Sequence, residues 1–261
     1  MSQLNNAPLV EVIFEIKWGR AQKQDKGLML HFSQEEISMM PGKFQVVASE
    51  AGFGVHELIP NQPPIPHVIK YRFRKKPNGY PLYQLGDGIF ALNQTDVDGF
   101  SYDWDIFKKD LENGINLLEK SYPFPLKNLP IVDIQLRFRD VILVDEGSCT
   151  FEMISNKLDI GTLKIPDKLK ENSHISTDSP IPSLAFQFKC NKPKGKIICQ
   201  INDGISSGHN ALIMDFIVLS DFTEIASTDT DSLIEWSVNA HDRHREIFKS
   251  IIKDDLMETF V

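Results

Sequence analysis

One stretch of this chain occurs twice, and this repeat constrains the fold more than any single motif does. Residues 76–89 align without a gap to residues 192–205, and half of the aligned positions are identical. Self-similarity of this kind indicates that a supersecondary unit has been duplicated. The two copies read Lys-Pro-Asn-Gly-Tyr-Pro-Leu-Tyr-Gln-Leu-Gly-Asp-Gly-Ile and Lys-Pro-Lys-Gly-Lys-Ile-Ile-Cys-Gln-Ile-Asn-Asp-Gly-Ile.

A strand with one buried face is expected upstream of each copy. In residues 8–16 and 130–138 a proline opens the segment, and apolar side chains then recur at every second residue. That period is typical of a β-strand with one face in the core. The expected buried faces consist of Val10, Val12, Phe14 and Ile16 in the first segment and of Val132, Ile134, Leu136 and Phe138 in the second.

Turn residues inside the repeat predict antiparallel hairpins in both halves. Pro77–Gly79 and Pro193–Gly195 each supply a Pro-x-Gly turn. Asp87-Gly88 and Asp203-Gly204 each supply a second tight turn of the hairpin type. Each half should therefore have at least three consecutive antiparallel strands after its first strand. The segment Ser206–Asn210 is interpreted as a further hairpin loop.

A long amphipathic helix is expected to close each half. In the first half, apolar side chains recur at steps of three and four over Trp104–Leu118, and Asp103 or Ser101 can cap the helix start. The same spacing runs over Leu233–Ile251 in the second half. The candidate caps of this second helix are Asp229, Thr230 and Asp231.

Shorter helices are expected between the first strand and the hairpin of each half. Ser33–Glu36 has the pattern of a capping box, and the helix that it opens should end near Met40, where Pro41-Gly42 interrupts. Phe151–Leu158, entered from Ser148, is the matching helix of the second half. Polar and proline-rich residues at 60–66 and 167–182 predict loops.

These elements predict an α+β fold in which a strand, a helix, three or more antiparallel strands and a long helix occur twice. The first repeat covers residues 1–125 and the second covers residues 126–261. The strands form either two sheets or one continuous curved sheet, with the long helices on one face. This order is similar to the saddle of the TATA-binding protein and to helix-grip folds, a likeness of topology that implies no function.

Composition favours a globular protein of the cytoplasm. The 261 residues are 41% hydrophobic and 25% charged, and the net charge of −8 argues against an extended nucleic-acid surface. Cys149, Cys190 and Cys199 lack metal-like spacing, and an odd number without a secretory leader is typical of a reducing compartment. We expect no membrane span, since no apolar run approaches 20 residues, and we expect no cofactor.

Basic residues alternate with aromatic residues on one strand of each half. Arg72 and Arg74 flank Phe73, and Arg137 and Arg139 flank Phe138. Such alternation would place the arginines on one face of a sheet, where they could bind nucleic acid or another anion. The alternative is that they are solvated or paired with the many carboxylates of the chain.

Two histidines on the last helix are the other candidate site. His241 and His244 are three residues apart, so they lie on neighbouring helical faces and could share a metal ion. The pattern lacks a third ligand, and the His-Glu-x-x-His spacing of metalloproteases is absent. His244 also follows Trp236 and Ala240 on the buried stripe of the helix, which favours the alternative that it is a hydrogen-bonded histidine at the edge of the core.

The chain resembles a sporadically distributed, uncharacterised family of bacterial proteins of about this length. The residues that carry the resemblance are the start Asn6-Ala7-Pro8-Leu9-Val10-Glu11-Val12, the stretch Gln84–Gly88, Trp104, Trp236 and Ala240-His241. The likeness extends over nearly the whole chain and implies a bacterial or archaeal cytoplasmic protein. It implies no activity. The chain departs from the family pattern at Arg137-Phe138-Arg139-Asp140.

Three functions are compatible with these observations. The first is a non-enzymatic binding or regulatory protein that presents a duplicated sheet to a protein or to nucleic acid. The second is a small-ligand-binding protein with a cavity between helix and sheet. The third is an enzyme with a metal or acid–base site around His241 and His244. A homo-oligomer is compatible with all three.

Overall fold

One antiparallel sheet organises the molecule. The structure is a computed structural model that describes residues 8–24, 27–95, 102–144, 151–161, 166–171, 174 and 183–260. Its strands are β1 (Leu9–Trp18), β2 (Arg20–Gln24), β3 (Gly27–His31), β4 (Val55–Leu58), β5 (Ile69–Arg74), β6 (Leu82–Gly86), β7 (Ile89–Thr95), β8 (Ile131–Leu143), β9 (Ser183–Asn191), β10 (Lys194–Ser206) and β11 (His209–Asp221). Nine of them form one sheet in the order β4-β5-β6-β7-β1-β8-β11-β10-β9, and β2 and β3 form a separate hairpin.

Helices complete the α+β fold that the sequence predicts. In the described residues they are α1 (Met40–Glu50), α2 (Trp104–Ser121), α3 (Phe151–Lys157), α4 (Asp167–Lys170), α5 (Thr230–Ile251) and α6 (Asp254–Met257). A π-helical turn at Glu35–Met39 leads into α1, and 3-10 turns lie at Leu126–Asn128 and Glu258–Phe260. Of the two expected arrangements, two sheets or one, the strands form one continuous sheet.

The order of the strands is the same on both sides of the central pair. β1 and β8 pair antiparallel, with Phe14 opposite Leu136. On the outer side of β1 lie β7, β6 and β5, followed by β4, and on the outer side of β8 lie β11, β10 and β9, so β4 has no counterpart among the described strands. β7 and β11 each precede a long helix, α2 or α5. The expected run of three antiparallel strands is thus found in each half.

One of the predicted hairpin turns is wrong. Pro77–Gly79 lies between β5 and β6, and Asp87-Gly88 connects β6 to β7, as expected. The β9–β10 turn consists of Lys192-Pro193 alone, because Gly195 already lies in β10 and pairs with Cys190. Asp203-Gly204, however, lies inside β10 and pairs with β11. The turn is made by Ser207 and Gly208, which both have positive φ, as a two-residue type I′ hairpin requires. It falls within the predicted loop Ser206–Asn210, so this hairpin is simply longer than its counterpart.

The caps of the two long helices agree with the sequence. The Asp103 carboxylate accepts a hydrogen bond from the Ile106 N–H at 3.0 Å, and the Asp229 carboxylate accepts one from the Ser232 N–H at 2.9 Å. Each bond satisfies an N–H that has no partner within the first turn of its helix. The alternative cap Ser101 lies outside the described residues.

The helix that begins near Ser33 continues through Pro41-Gly42, contrary to expectation. Pro41 lies at the start of α1, directly after the π-helical turn, and proline is tolerated in the first turn of an α-helix. Phe151–Leu158 was predicted correctly as a helix, although Ser148 lies outside the described residues. Of the predicted loop 167–182, the structure describes only residues 167–171 and 174, which include α4.

The core lies on the sheet face that the alternation of β1 and β8 predicts. Phe44 of α1 packs with its ring 4.9 Å from that of Phe73 in β5, and Tyr83 of β6 donates a hydrogen bond to the Asp110 carbonyl of α2 at 2.7 Å. His244 of α5 stacks on the same face of β8. These three helices therefore cover one side of the sheet. The buried row that crosses it consists of Phe73, Tyr83, Leu92, Phe14, Leu136, Val218 and Ile197.

Two glycines give a matched test of packing under the helices. A Cβ at Gly114 of α2 would lie 2.7 Å from the Tyr83 ring and 2.9 Å from the Phe90 ring, whereas a Cβ at Gly42 of α1 would meet nothing within 4 Å. We expect Gly114→Ala to destabilise the protein by about 1–3 kcal/mol because two buried rings must shift. Gly42→Ala should stabilise it by roughly 0.5–1 kcal/mol through helix propensity. Urea denaturation measures both, and a stabilising Gly114→Ala would contradict this packing.

Candidate functional site

The side of the sheet opposite the helices forms the candidate site, which we call the open face. It consists of half-exposed side chains and the buried Asp215 on four adjacent strands, β1, β8, β11 and β10. Because side chains alternate along a strand, these residues interleave with the core residues. The members of the open face are Glu11, Ile13, Glu15, Lys17, Gln135, Arg137, Arg139, Ile213, Asp215, Ile217, Leu219, Lys196 and Ile198.

Two arginines of the open face share one carboxylate. Asp215 accepts hydrogen bonds from Arg137 (Nε to Oδ1, 3.0 Å; Nη2 to Oδ2, 2.8 Å) and from Arg139 (Nε to Oδ1, 3.0 Å; Nη2 to Oδ2, 3.2 Å). The Asp215 side chain is only 8% exposed because the two guanidinium groups lie over it. Burial alone would raise the pKa of Asp215, but the bonds and charges of the arginines outweigh it and hold that pKa below its usual range.

The charges next to this cluster are also paired. Arg139 Nη1 lies 3.6 Å from the Glu11 carboxylate, and this bond network raises the pKa of Arg139, chiefly through its hydrogen bonds to Asp215. Lys17 Nζ lies 3.5 Å from Glu15 and 3.4 Å from Asp133. The charged side chains at the centre of the open face therefore form ion pairs with one another.

The second predicted pair of arginines lies elsewhere on the same side of the sheet. Arg74 is buried, donates to Glu57 Oε1 at 3.1 Å and to the Gly79 carbonyl at 2.8 Å, and stacks over Tyr80. Arg72 lies with Nη1 3.8 Å from the same Glu57 carboxylate. In both halves the arginines thus have carboxylate partners, which agrees with the second of the two sequence interpretations.

The two arginine pairs are not adjacent. Arg74 of β5 and Arg137 of β8 lie in one row across the sheet, separated by β6, β7 and β1. Four steps of about 4.8 Å between neighbouring strands place their backbones roughly 19 Å apart. The structure therefore brings Arg137 together with Arg139, and Arg72 with Arg74, but does not merge the four into one basic patch.

The histidines of α5 lie on the helix side of the sheet, remote from the open face. The His241 ring stacks on Trp104 with centroids 4.0 Å apart, and the His244 ring stacks on Phe138 at 3.9 Å. Both residues are buried, and His244 Nε2 lies 3.4 Å from the buried Asp140 carboxylate. The site of His244 therefore matches the alternative reading of a hydrogen-bonded histidine at the core, and His241 is held there by ring stacking.

Burial controls the titration of His241 and of Cys199. It lowers the pKa of His241 to about 3, with smaller contributions from the charges of His244 and Arg245, so the ring is neutral at pH 7. Burial also raises the pKa of Cys199 to about 12, which keeps that thiol protonated. Within the described residues, no three His, Cys, Asp or Glu side chains converge as a metal site requires. Cys149 lies outside those residues.

A buried carboxylate in the π-helical turn is a second polar cluster. Glu36 accepts hydrogen bonds from Arg20 Nη1 at 2.6 Å, from the Ser33 N–H at 2.7 Å and from the Tyr122 hydroxyl at 2.7 Å. The Ser33 hydroxyl accepts in return from the Glu36 N–H at 3.3 Å, which confirms the predicted capping box. The pKa of Glu36 is lowered because these bonds outweigh the effect of burial.

One cleft opens at the surface between α1 and α2. It has a volume of about 470 Å³, an apolar floor that includes Phe53 and Leu117, and a rim that includes Lys75 and Lys120. It lies between two helices rather than between a helix and the sheet. The space beneath α2 and α5 is filled by the buried rings of the core.

Sequence reasoning did not identify Asp215 or the partners of Glu36 as members of polar clusters. Asp215 is a lone acid in the apolar run Ala211–Leu219, and a charge in such a run is a signal of a buried pair. Its partners lie on another strand more than 70 residues away in the chain, so no local pattern points to them. Arg20 and Tyr122 likewise meet Glu36 through tertiary contacts alone.

No family model, no curated protein and no solved structure matches this chain. Membership of the sporadic bacterial family therefore stays a prediction. Among the described helices, none is long and apolar enough to cross a membrane.

Proposed function

We propose that this protein is a non-enzymatic binding or regulatory protein that presents the open face of its antiparallel sheet to a protein partner. The observation that carries this proposal is the combination of half-exposed apolar side chains and mutually neutralised charges on the side of the sheet opposite the helices. Such a surface can be desolvated by a partner without leaving an unpaired charge.

The apolar part of the open face is a row of three isoleucines. Ile13, Ile217 and Ile198 lie in one row across β1, β11 and β10, and Arg137 of β8 stands between the first two. All four side chains are half-exposed. Apolar side chains with an embedded arginine are typical of the centres of protein interfaces, where arginine is enriched.

The pairing of the arginines favours a protein partner over nucleic acid. Binding to phosphate requires cations whose charge is available, because affinity comes from counterion release. Arg137 and Arg139 instead direct two N–H groups each at Asp215, and Arg74 is buried against Glu57. Nucleic acid is accordingly an outcome that the experiment below must be able to reveal.

We further propose that the two halves of the sheet arose by duplication, as the repeat at residues 76–89 and 192–205 indicates. The equal order of strands on both sides of the β1–β8 pair supports this proposal, as does the long helix after β7 and after β11. The likeness to the saddle of the TATA-binding protein is part of the same proposal. The repeat boundaries 1–125 and 126–261 stay predictions; they fall in the segment between α2 and β8.

A small-ligand role is the second candidate, and the cleft beside Phe53 is the observation that favours it. Its volume is within the range of ligand pockets. We rank it below the open face because the cleft is open at the surface, where Lys75, Glu119 and Lys120 of its lining are exposed. The buried free thiols of Cys190 and Cys199 support the proposed cytoplasmic location.

Site-specific cross-linking in the native cell tests the proposed function. We expect a photo-reactive amino acid at Ile217 to capture a defined protein, and the same amino acid at Val46, 57% exposed on α1, not to capture it. Adding Ile13→Arg should abolish the capture, since it replaces the apolar residue at one end of the row with a second cation beside Arg137. Mass spectrometry identifies the captured molecules.

The control variant is Val46→Arg, which changes an exposed helical side chain and should leave capture at Ile217 unchanged. Equal capture from positions 217 and 46 would contradict the proposal, and so would capture that survives Ile13→Arg. Capture of nucleic acid instead of protein at position 217 would show that the partner belongs to the other class.

A further inference from the structure

The two edges of the sheet differ in a way that points to self-association. The edge strand β4 has only four residues, and short edge strands are a common protection against unwanted pairing. The opposite edge strand, β9, has nine residues from Ser183 to Asn191 and, within the described residues, pairs with β10 alone. A long edge of this kind offers a row of backbone N–H and C=O groups to another strand.

The rows of core residues that cross the sheet end at this edge in side chains that are exposed to solvent. The core row that runs through Leu136, Val218 and Ile197 continues to Phe188 of β9, whose side chain is 53% exposed. Phe186 occupies the neighbouring row and is half-exposed. Two aromatic side chains that belong to the core layer are therefore covered on one side only.

We propose that β9 pairs antiparallel with β9 of a second copy of this chain, around a two-fold axis at Gln187, so that the sheet continues through the dimer. The commitment to a second copy rests on the self-complementarity of the strand. In an antiparallel pair, residues directly opposite each other point to the same face. The register in which all nine residues of both strands pair places Gln187 opposite Gln187 of its partner copy.

The side chains fit one another in this register. On the helix side, Phe188 of one copy lies opposite Phe186 of the other, twice, and aromatic cross-strand pairs stabilise antiparallel sheets. On the open side, Lys189 of one copy lies opposite Ala185 of the other, so no like charges meet across the contact, and Lys189 already lies opposite Lys196 within its own chain. A shift that centres the axis on Lys189 would instead oppose two ammonium groups, which is unfavourable.

The dimer has a consequence for the open face. A two-fold axis between neighbouring antiparallel strands stands perpendicular to the sheet, so the helices of both copies lie on one side and both open faces lie on the other. The two proposals are nevertheless independent, because the partner site is centred on Ile13 and Ile217 and the dimer contact on Gln187.

Cysteine cross-linking tests the register, in a background with Cys149, which lies outside the described residues, replaced by serine. Opposed Cβ atoms in an antiparallel pair are roughly 4.5–5.5 Å apart, close enough for a disulfide after a small adjustment. We expect Gln187→Cys to form a covalent dimer under mild oxidation. Ala185→Cys and Lys189→Cys should each form no covalent dimer alone but should cross-link when the two variants are mixed.

Sedimentation equilibrium measures the association itself. The parent chain should have twice the 29.7 kDa mass of the monomer, and Phe188→Lys should shift it to the monomer with an unchanged circular dichroism spectrum, since the side chain is already half-exposed. A monomeric parent chain at the highest accessible concentration would overturn the proposal. A dimer that does not cross-link through Gln187→Cys would overturn it as well, because its contact would lie elsewhere.

Discussion

Between pH 7 and pH 4 the protein is expected to lose stability, and replacing His241 with phenylalanine is expected to remove much of this loss. The folded-state pKa of His241 is about 3, against an ordinary value of 6.5, because the ring is buried and stacked on Trp104. Between these values the unfolded chain binds one more proton than the folded chain. The contribution is thus complete above pH 6.5 and is lost as the pH falls toward 3, reaching a loss of about 3 kcal/mol at pH 4.

Two charged neighbours of His241 on its own helix add to the effect of burial on its pKa. His244 and Arg245 on the same helix both lower its pKa, while the exposed Asp242 carboxylate, 3.7 Å away, is its only nearby anion among the described ion pairs. Urea unfolding at a series of pH values measures the effect. The matched control is the exposed His209, where glutamine should leave the pH profile of the parent unchanged. Parallel profiles for the parent and His241→Phe would contradict the assignment.

Glu36→Ala is expected to destabilise the protein by about 3 kcal/mol at pH 7. The Glu36 side chain is 2% exposed and accepts from Arg20, from the Ser33 N–H and from the Tyr122 hydroxyl. Its removal leaves the buried hydroxyl and the N–H without their acceptor. It also disconnects the π-helical turn from β2 and from the end of α2.

Two further variants complete this test, one that removes the charge of Glu36 but keeps its shape and one exposed control on α2. Glu36→Gln keeps one acceptor oxygen and should cost less than Glu36→Ala, and the exposed Glu112→Ala on α2 should change stability by no more than about 0.5 kcal/mol. Because the folded-state pKa of Glu36 is lowered, its contribution is present above the ordinary carboxyl pKa and is lost as the pH falls below it. A cost for Glu36→Ala no larger than for Glu112→Ala would contradict the described network.

Local signals in the sequence were reliable where the chemistry is local. The caps Asp103 and Asp229, the capping box of Ser33 and Glu36, and the alternation of β1 all involve residues within a few positions of one another. The same reasoning failed at Asp203-Gly204, because a longer β10–β11 ladder makes an extended strand more favourable there than a turn. It failed at Pro41 because a proline is tolerated in the first turn of a helix.

The candidate site could be predicted only in part. Alternation correctly placed Arg137 and Arg139 on one face of a strand, opposite Phe138. Whether that face is basic depends on Asp215 and Glu11, which come from other strands through the register of the sheet. The burial of His244 follows from its place on the apolar stripe of α5, whereas that of His241 depends on how α5 packs against Trp104.

The most direct test of the proposed function compares the proteins that are cross-linked to the open face with those that are cross-linked to the helix layer on the opposite side. A photo-reactive residue at Ile217 reports on the open face, and one at Val46 reports on the helix layer, in the same cells and at the same expression level. We predict that one protein is enriched several-fold at position 217 and that Ile13→Arg removes it. Equal enrichment at both positions, or none at either, would contradict the proposal that the open face is the binding surface.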